Sequence, residues 1–185
     1  LRAFLRQDPD IILLGETRDQ ETAKIAVEAA LTGHLVFTTL HANDAFSTCI
    51  RLIEMGVEPF LIATSIIGVI AQRLVRRICG RCREPYTPDG DTIRYLDLPP
   101  GSQLYRGRGC EVCGYSGYQG RVGIFEVMKV TEGISHLIAR QSDTQAIRRE
   151  AVKGGMKTLR DYANTLLLQG QTTVDEVLRT VAIQY

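Results

Sequence analysis

Apolar and polar positions alternate with different periods along the chain. Ile11-Ile12-Leu13-Leu14 is a short aliphatic run between Pro9 and Gly15. That is the pattern of a fully buried strand in a parallel sheet, and the run is too short and too sharply bounded for the competing helix. Behind Asp19, a residue type that caps helices, Ala23, Ala26, Val27, Ala30 and Leu31 recur at helical spacing, and Gly33 suits a left-handed cap. Leu35 to Thr39 reads as a second strand, so strand, helix and strand form a right-handed crossover of parallel strands. Glu16 leaves the first strand and His41 the second at the same carboxyl edge, where open α/β sheets hold ligands.

Asn43 or Asp44 can cap a helix running to Met55 and ended by Gly56, with Cys49 as a small core residue beside Phe46, Ile50 and Ile53. Pro59 then opens a helix predicted from Phe60 to about Arg77, apolar at first and cationic at its end, where Arg73, Arg76 and Arg77 suit the helix dipole. Val122 to Met128 reads as a strand, and the remainder is helical. Ser142-Asp143-Thr144-Gln145 and Thr173-Val174-Asp175-Glu176 fit capping boxes, and His136 reads as structural. Met156, Leu159, Tyr162, Ala163, Leu166 and Leu167 form an apolar stripe of the packing kind.

Composition narrows the class. A chain of 185 residues with 44% hydrophobic content can bury one sizeable core plus appendages. A net charge of +1 argues against a dedicated nucleic-acid or membrane-surface protein. The apolar stretch from Phe60 to Ala71 is too short for a bilayer, which takes roughly 20 residues, and no signal-peptide pattern opens the chain. Any membrane association is therefore expected through partners.

Five cysteines are present, four of them in two Cys-x-x-Cys knuckles, Cys79/Cys82 and Cys110/Cys113, separated by residues 83–109. Thiolates in this arrangement can converge on tetrahedral Zn²⁺, and four of them leave no open position, so the zinc would be structural. Disulfides are the competing reading, set against the odd fifth cysteine and the missing export signal. The segment between the knuckles is rich in proline and glycine and reads as loop, the setting in which a metal staple is most useful.

Arg6-Gln7-Asp8-Pro9-Asp10 with Gly15-Glu16-Thr17-Arg18-Asp19, followed by Thr32-Gly33-His34-Leu35-Val36-Phe37-Thr38-Thr39-Leu40-His41-Ala42-Asn43, closely resembles the Walker B and histidine boxes of the secretion ATPases that power type II secretion and type IV pilus assembly. The resemblance continues through Gly56-Val57-Glu58-Pro59-Phe60-Leu61, Ala71-Gln72-Arg73-Leu74-Val75-Arg76 and Gly120-Arg121-Val122-Gly123, and so covers essentially the whole chain. It implies an α/β fold: a partial RecA-like P-loop NTPase domain over residues 1–78, a Cys₄ zinc-binding insert over 79–120, and a returning strand with a helical carboxyl-terminal subdomain over 121–185. Retraction motors of the family generally lack the cysteine insert, and Leu104 to Cys110 with Gly117 to Arg121 leans towards the type II secretion branch.

The same resemblance implies roles. Glu16 would be the water-orienting carboxylate and His41 a phosphate sensor, ranked above His34. Arg2, Arg6, Arg18, His34, Arg73 and Arg121 would contact or balance nucleotide charge, some across subunits, whereas the residues alone read Arg2 and Arg6 as a solvated basic face, His34 as bonding a nearby carbonyl and Arg121 as an ordinary surface arginine. The cofactors implied are ATP and Mg²⁺ beside the zinc. The whole protein would be a cytoplasmic homo-hexamer docked on inner-membrane platform proteins, with no nucleic acid bound and no direct membrane insertion. No Gly-x-x-x-x-Gly-Lys-[Ser/Thr] phosphate loop occurs, and Gly154-Gly155-Met156-Lys157-Thr158 has the wrong spacing. The chain is thus expected to be the carboxyl-terminal part of a longer ATPase, inactive by itself. The alternative is a non-catalytic zinc-ribbon module that binds protein or nucleic acid.

Overall fold

The computed structural model describes Gln7 and residues 9–181. Arg2 and Arg6, singled out above, lie outside the described residues. The described chain divides into two compact units, one taking residues up to Ala71 and then Val127–Met156, the other Gln72–Glu126 and the segment from Lys157.

In the first unit, β1 (Ile11–Leu14) pairs in parallel with β2 (Leu35–Thr38), joined by helix α1 (Gln20–Leu31). The Asp19 side chain accepts the Thr22 N–H, which supplies an orphan donor of the first turn with a partner, and Gly33 follows the helix at φ 103°. Helix α2 (Ala45–Glu54) starts in a reciprocal Asp44–Ser47 box, and Gly56 takes φ 81° just past its end. Its apolar face and those of α1 and the following helices bury Ala23, Phe46, Leu52, Ile62, Ile134 and Ile147 in one core, with Cys49 among them.

Burial corrects the reading of the first strand. Only Ile12 of β1 is buried; Ile11 and Leu13 are 62% and 78% exposed, and their register partners Leu35 and Phe37 share that open face. A strand's side chains alternate between faces, and here only the face that carries Ile12 is covered.

The helix predicted from Phe60 to about Arg77 is not formed. Helix α3 (Pro59–Ser65), with Pro59 in its first turn, stops early, and strand β3 (Gly68–Ile78) follows. Gly68 interrupts helix propagation, and Val69, Ala71, Arg73 and Val75 repeat at period two on the more covered side of the strand. β3 pairs with β6 (Tyr118–Lys129). The Val130 N–H to Ile67 carbonyl bond (3.1 Å) and the Cys79 N–H to Gly117 carbonyl bond (2.9 Å) bracket the pair, so the two strands run in opposite directions.

The second unit contains secondary structure where the sequence reads as loop. β4 (Arg83–Tyr86), helix α4 (Gly90–Leu96) and β5 (Leu104–Gly107) lie between the knuckles, with β4 and β5 antiparallel. Helices α5 (Glu132–Ala139) and α6 (Thr144–Lys153) complete the first unit, and α7 (Leu159–Leu168) and α8 (Val174–Thr180) the second. Leu96 and Leu104 are buried, and α7 contacts β5 while its Asn164 amide donates to the Leu96 carbonyl at 2.7 Å.

Two expected caps are corrected. Helix α6 is capped by Asp143, which accepts the Ala146 N–H at 2.7 Å, one residue after the Ser142 expected. Thr173 caps α8 as expected, but Glu176 does not reach back to close a box; its carboxylate goes to Arg76. The stripe expected from Met156 to Leu167 also divides: Met156 packs on the core of the first unit, whereas Leu159, Ala163, Leu166 and Leu167 are buried in the second.

Candidate functional site

Glu16 and His41 emerge from the carboxyl ends of β1 and β2 and meet. His41 Nε2 lies 2.8 Å from Glu16 Oε1, and Arg18 Nε donates to Glu16 Oε2 at 2.6 Å. The histidine is ion-pair close, and buried Oε1 accepts no hydrogen bond among the described residues. Arg18, first by its hydrogen bond and then by its charge, with His41 adding to it, holds the Glu16 carboxyl below the usual carboxylate range against the opposing effect of burial. An ionised carboxylate with one occupied oxygen and one unfilled, buried oxygen can accept a proton-bearing ligand such as water.

The segments carrying these groups are tied together past the end of the ladder. Thr17 is buried, its N–H donates to the Thr39 carbonyl at 2.9 Å, and its hydroxyl lies 2.8 Å from that of Thr38. The Thr39 hydroxyl donates to the Gly15 carbonyl at 2.7 Å. Sequence reading passed over these threonines; the signal available was a hydroxyl residue next to Glu16 and a pair of them where β2 ends.

His34 Nδ1 sits 3.0 Å from the Ala29 carbonyl and 3.1 Å from the Thr32 hydroxyl, at the end of α1. Arg18 lies on Glu16, and Arg73 on β3 and Arg121 on β6 belong to the second unit.

In that second unit Cys79, Cys82, Cys110 and Cys113 converge, all four Sγ atoms lying within 4.8 Å of one another, and they could hold a metal ion. Cys79–Cys110, Cys82–Cys113 and Cys110–Cys113 are 4.0, 3.9 and 3.8 Å apart. A tetrahedral zinc with bonds of about 2.3 Å requires about 3.8 Å between sulfurs, so the donor set fits. Backbone amides prepare it: Gly109 N–H donates to Cys82 Sγ, and Cys110 and Gly117 N–H both donate to Cys113 Sγ, each at 3.3 Å. Burial opposes ionisation of Cys113, but its two amides, joined by the Cys110 and Cys82 thiols, prevail and bring the thiol down to about 6. Cys82, where burial dominates over its single amide, is pushed up to about 11. The backbones are held close by glycine: a Cβ on Gly107 would sit 2.0 Å from the Gly117 carbonyl oxygen.

Comparison with known proteins gives a consistent result. Residues 1–179 match the family described as Type II/IV secretion system protein. The type IV pilus assembly ATPase PilB of Thermus thermophilus is 54% identical over 98% of this chain, which corresponds to 21% of PilB. The type II secretion system protein E of Pseudomonas aeruginosa is 48% identical over 97% of the chain and 36% of the relative. The chain thus spans about a third or less of these relatives. Among solved structures, the pilus retraction motor PilT with bound ADP superposes with a TM-score of 0.67 at 26% identity, covering 97% of this chain and 41% of PilT.

Proposed function

This chain belongs to the type II/IV secretion system protein family, and on that premise we propose that it is the carboxyl-terminal part of a hexameric, RecA-like motor ATPase. The motor would couple ATP hydrolysis to assembly of a type II secretion pseudopilus or a type IV pilus; relatives of both kinds match at similar identity. In functional terms, residues 1–78 would belong to the nucleotide domain, 79–120 to the zinc insert, and 121–185 to the returning strand and helical subdomain. The assembly would work in the cytoplasm against platform proteins of the inner membrane. Among the described residues no helix is long and apolar enough to cross a membrane.

The observation that carries the reading is Glu16: an ionised carboxylate at a strand's carboxyl edge, whose buried Oε1 accepts no hydrogen bond among the described residues and lies 2.8 Å from His41 Nε2. When bound, ATP with Mg²⁺ supplies the phosphoryl group. Glu16 Oε1 then accepts a hydrogen bond from the attacking water and aligns it. His41, whose side chain is exposed, would contact the terminal phosphate. Arg2, Arg6, Arg18, His34, Arg73 and Arg121 are the candidates for balancing phosphate charge, within a subunit or across subunits. Cys79, Cys82, Cys110 and Cys113 would hold a structural Zn²⁺, a closed four-thiolate site taking no part in hydrolysis.

In the full-length ATPase, Glu16→Gln should lower kcat by about 10²- to 10⁴-fold while nucleotide still binds. Undiminished turnover by that variant would remove the catalytic assignment. The purified 185-residue chain, which has no phosphate loop, should release no phosphate from ATP above background.

A further inference from the structure

Resting on the catalytic reading of Glu16, we infer that Thr17 is a positioning residue for it, working with Thr38 and Thr39 as a latch between the two strand exits. The β1–β2 ladder ends at Leu14 and Thr38. Beyond that point nothing in a parallel pair obliges the exiting segments to stay together, yet Glu16 and His41 both lie beyond it. Three bonds carry the pairing onward: Thr17 N–H to the Thr39 carbonyl (2.9 Å), Thr17 hydroxyl with Thr38 hydroxyl (2.8 Å), and Thr39 hydroxyl to the Gly15 carbonyl (2.7 Å). They grip the backbone on both sides of Glu16, at Gly15 and Thr17, and grip the second segment immediately before Leu40 and His41. The Glu16–His41 separation of 2.8 Å is therefore set by the latch as well as by the two side chains. Thr17 is 3% exposed, so its hydroxyl has no water to replace Thr38, and losing it frees the segment rather than merely rehydrating it.

Threonine supplies both parts that this place demands, a donor–acceptor hydroxyl and a buried methyl. Valine keeps the shape and removes the hydroxyl; serine keeps the hydroxyl and removes the methyl. If Thr17 acts through Glu16, the two replacements should separate.

The test uses the full-length ATPase. Thr17→Val should lower kcat about 10- to 100-fold, the cost of misplacing a catalytic group by about an ångström, with the KM for ATP changed less than about twofold. Thr17→Ser should restore most of the rate. On a Glu16→Gln background, Thr17→Val should cost less than about twofold more, because the group it positions has already been disabled. An unchanged kcat in Thr17→Val overturns the inference, as does an equal loss on the Glu16→Gln background or a KM that rises as much as kcat falls. Should Thr17→Val fail to fold, as judged by its melting transition, Thr39→Val at an exposed position removes the third bond and is read by the same criteria. Failure of the function itself looks different: Glu16→Gln alone would then retain full turnover.

Discussion

Two demands compete for the Glu176 carboxylate. Three residues after Thr173 it could close a capping box by reaching back to the Thr173 N–H. Instead its oxygens accept hydrogen bonds from the Arg76 backbone N–H, Nε and Nη2 at 2.7, 2.9 and 2.7 Å. The guanidinium also lies 4.0 Å from the centre of the Tyr118 ring, whose hydroxyl is 2.8 Å from that of Thr173. A charge-assisted two-pronged pair outweighs one neutral end-of-helix bond, so the cap is left to Thr173 alone. Burial raises the Glu176 carboxyl, but the Arg76 bonds and charge overcome it and the net displacement is downward. A carboxyl lowered in the folded state stabilises fully above its unfolded value of about 4.3 and loses that contribution as pH falls through the lower folded value. Glu176→Gln should therefore destabilise the second unit by about 1–3 kcal/mol near neutrality, the range for a charged hydrogen bond whose partner is half-exposed. The difference from wild type should stay level between about pH 6 and 8 and close as pH drops below the ordinary carboxylate range. Thermal melts of the two proteins across pH would show this, and a gap that widened in acid would contradict it.

At the scale of elements, the knuckle strands tolerate little change at one position. Gly107 ends β5, and a Cβ there would stand 2.0 Å from the Gly117 carbonyl oxygen, a backbone atom that has no rotamer to turn away. Gly107→Ala should cost about 3 kcal/mol or more and abolish the proposed zinc binding, measured by elemental analysis and melting. Gly90→Ala, where added atoms meet open space at the start of α4, is the matched control and should stay within about 0.5 kcal/mol. These elements also mark how far the sequence was legible. Asp19, Asp44 and Gly56 announced α1 and α2 because caps are local chemistry written in adjacent residues. The Phe60–Arg77 segment misled because its apolar residues satisfy period two and period 3.6 alike in places, and the decision at Gly68 rests on pairing with β6, distant in the chain. β4, α4 and β5 were missed for a similar reason: Leu96 and Leu104 are buried in a unit that includes the much later α7, so prolines and glycines dominated the local signal. Exposure of Ile11 and Leu13 was equally unreadable, since a strand's pattern shows which faces are apolar but not what covers them. Glu16 and His41 could be placed at one sheet edge from strand polarity alone, whereas the Thr17–Thr39 ties needed coordinates because one hydroxyl looks like another in a sequence.

For the molecule as a whole, if the four cysteines hold zinc as proposed, its removal should act on one unit and spare the other. All four cysteines of the cluster lie in the second unit, while the core around Phe46, Ile62 and Ile147 belongs to the first and contains no cluster ligand. The second unit closes its chain through contacts that start from the cluster's own strands. Ile78 N–H bonds the Gln171 carbonyl and Cys79 N–H the Gly117 carbonyl, both at 2.9 Å, and Arg76 holds α8 through Glu176. Without a cation, four thiols gathered within 4.8 Å lose the charge that makes ionised sulfurs tolerable side by side. The ligands should separate, and β3, β6 and α8 should lose their common anchor. Hydrogen exchange on the chain with and without a strong chelator should show protection falling across residues 72–126 and 157–181 while amides of α1 and α2 exchange as before. Reciprocity makes the same link visible from the other end: if zinc supports α8, then Glu176→Gln, far from any sulfur in sequence, should weaken zinc retention in a chelator competition by roughly threefold to tenfold. Equal loss of protection in both units on chelation, or zinc affinity indifferent to Glu176, would show that metal and helix are not coupled in this way.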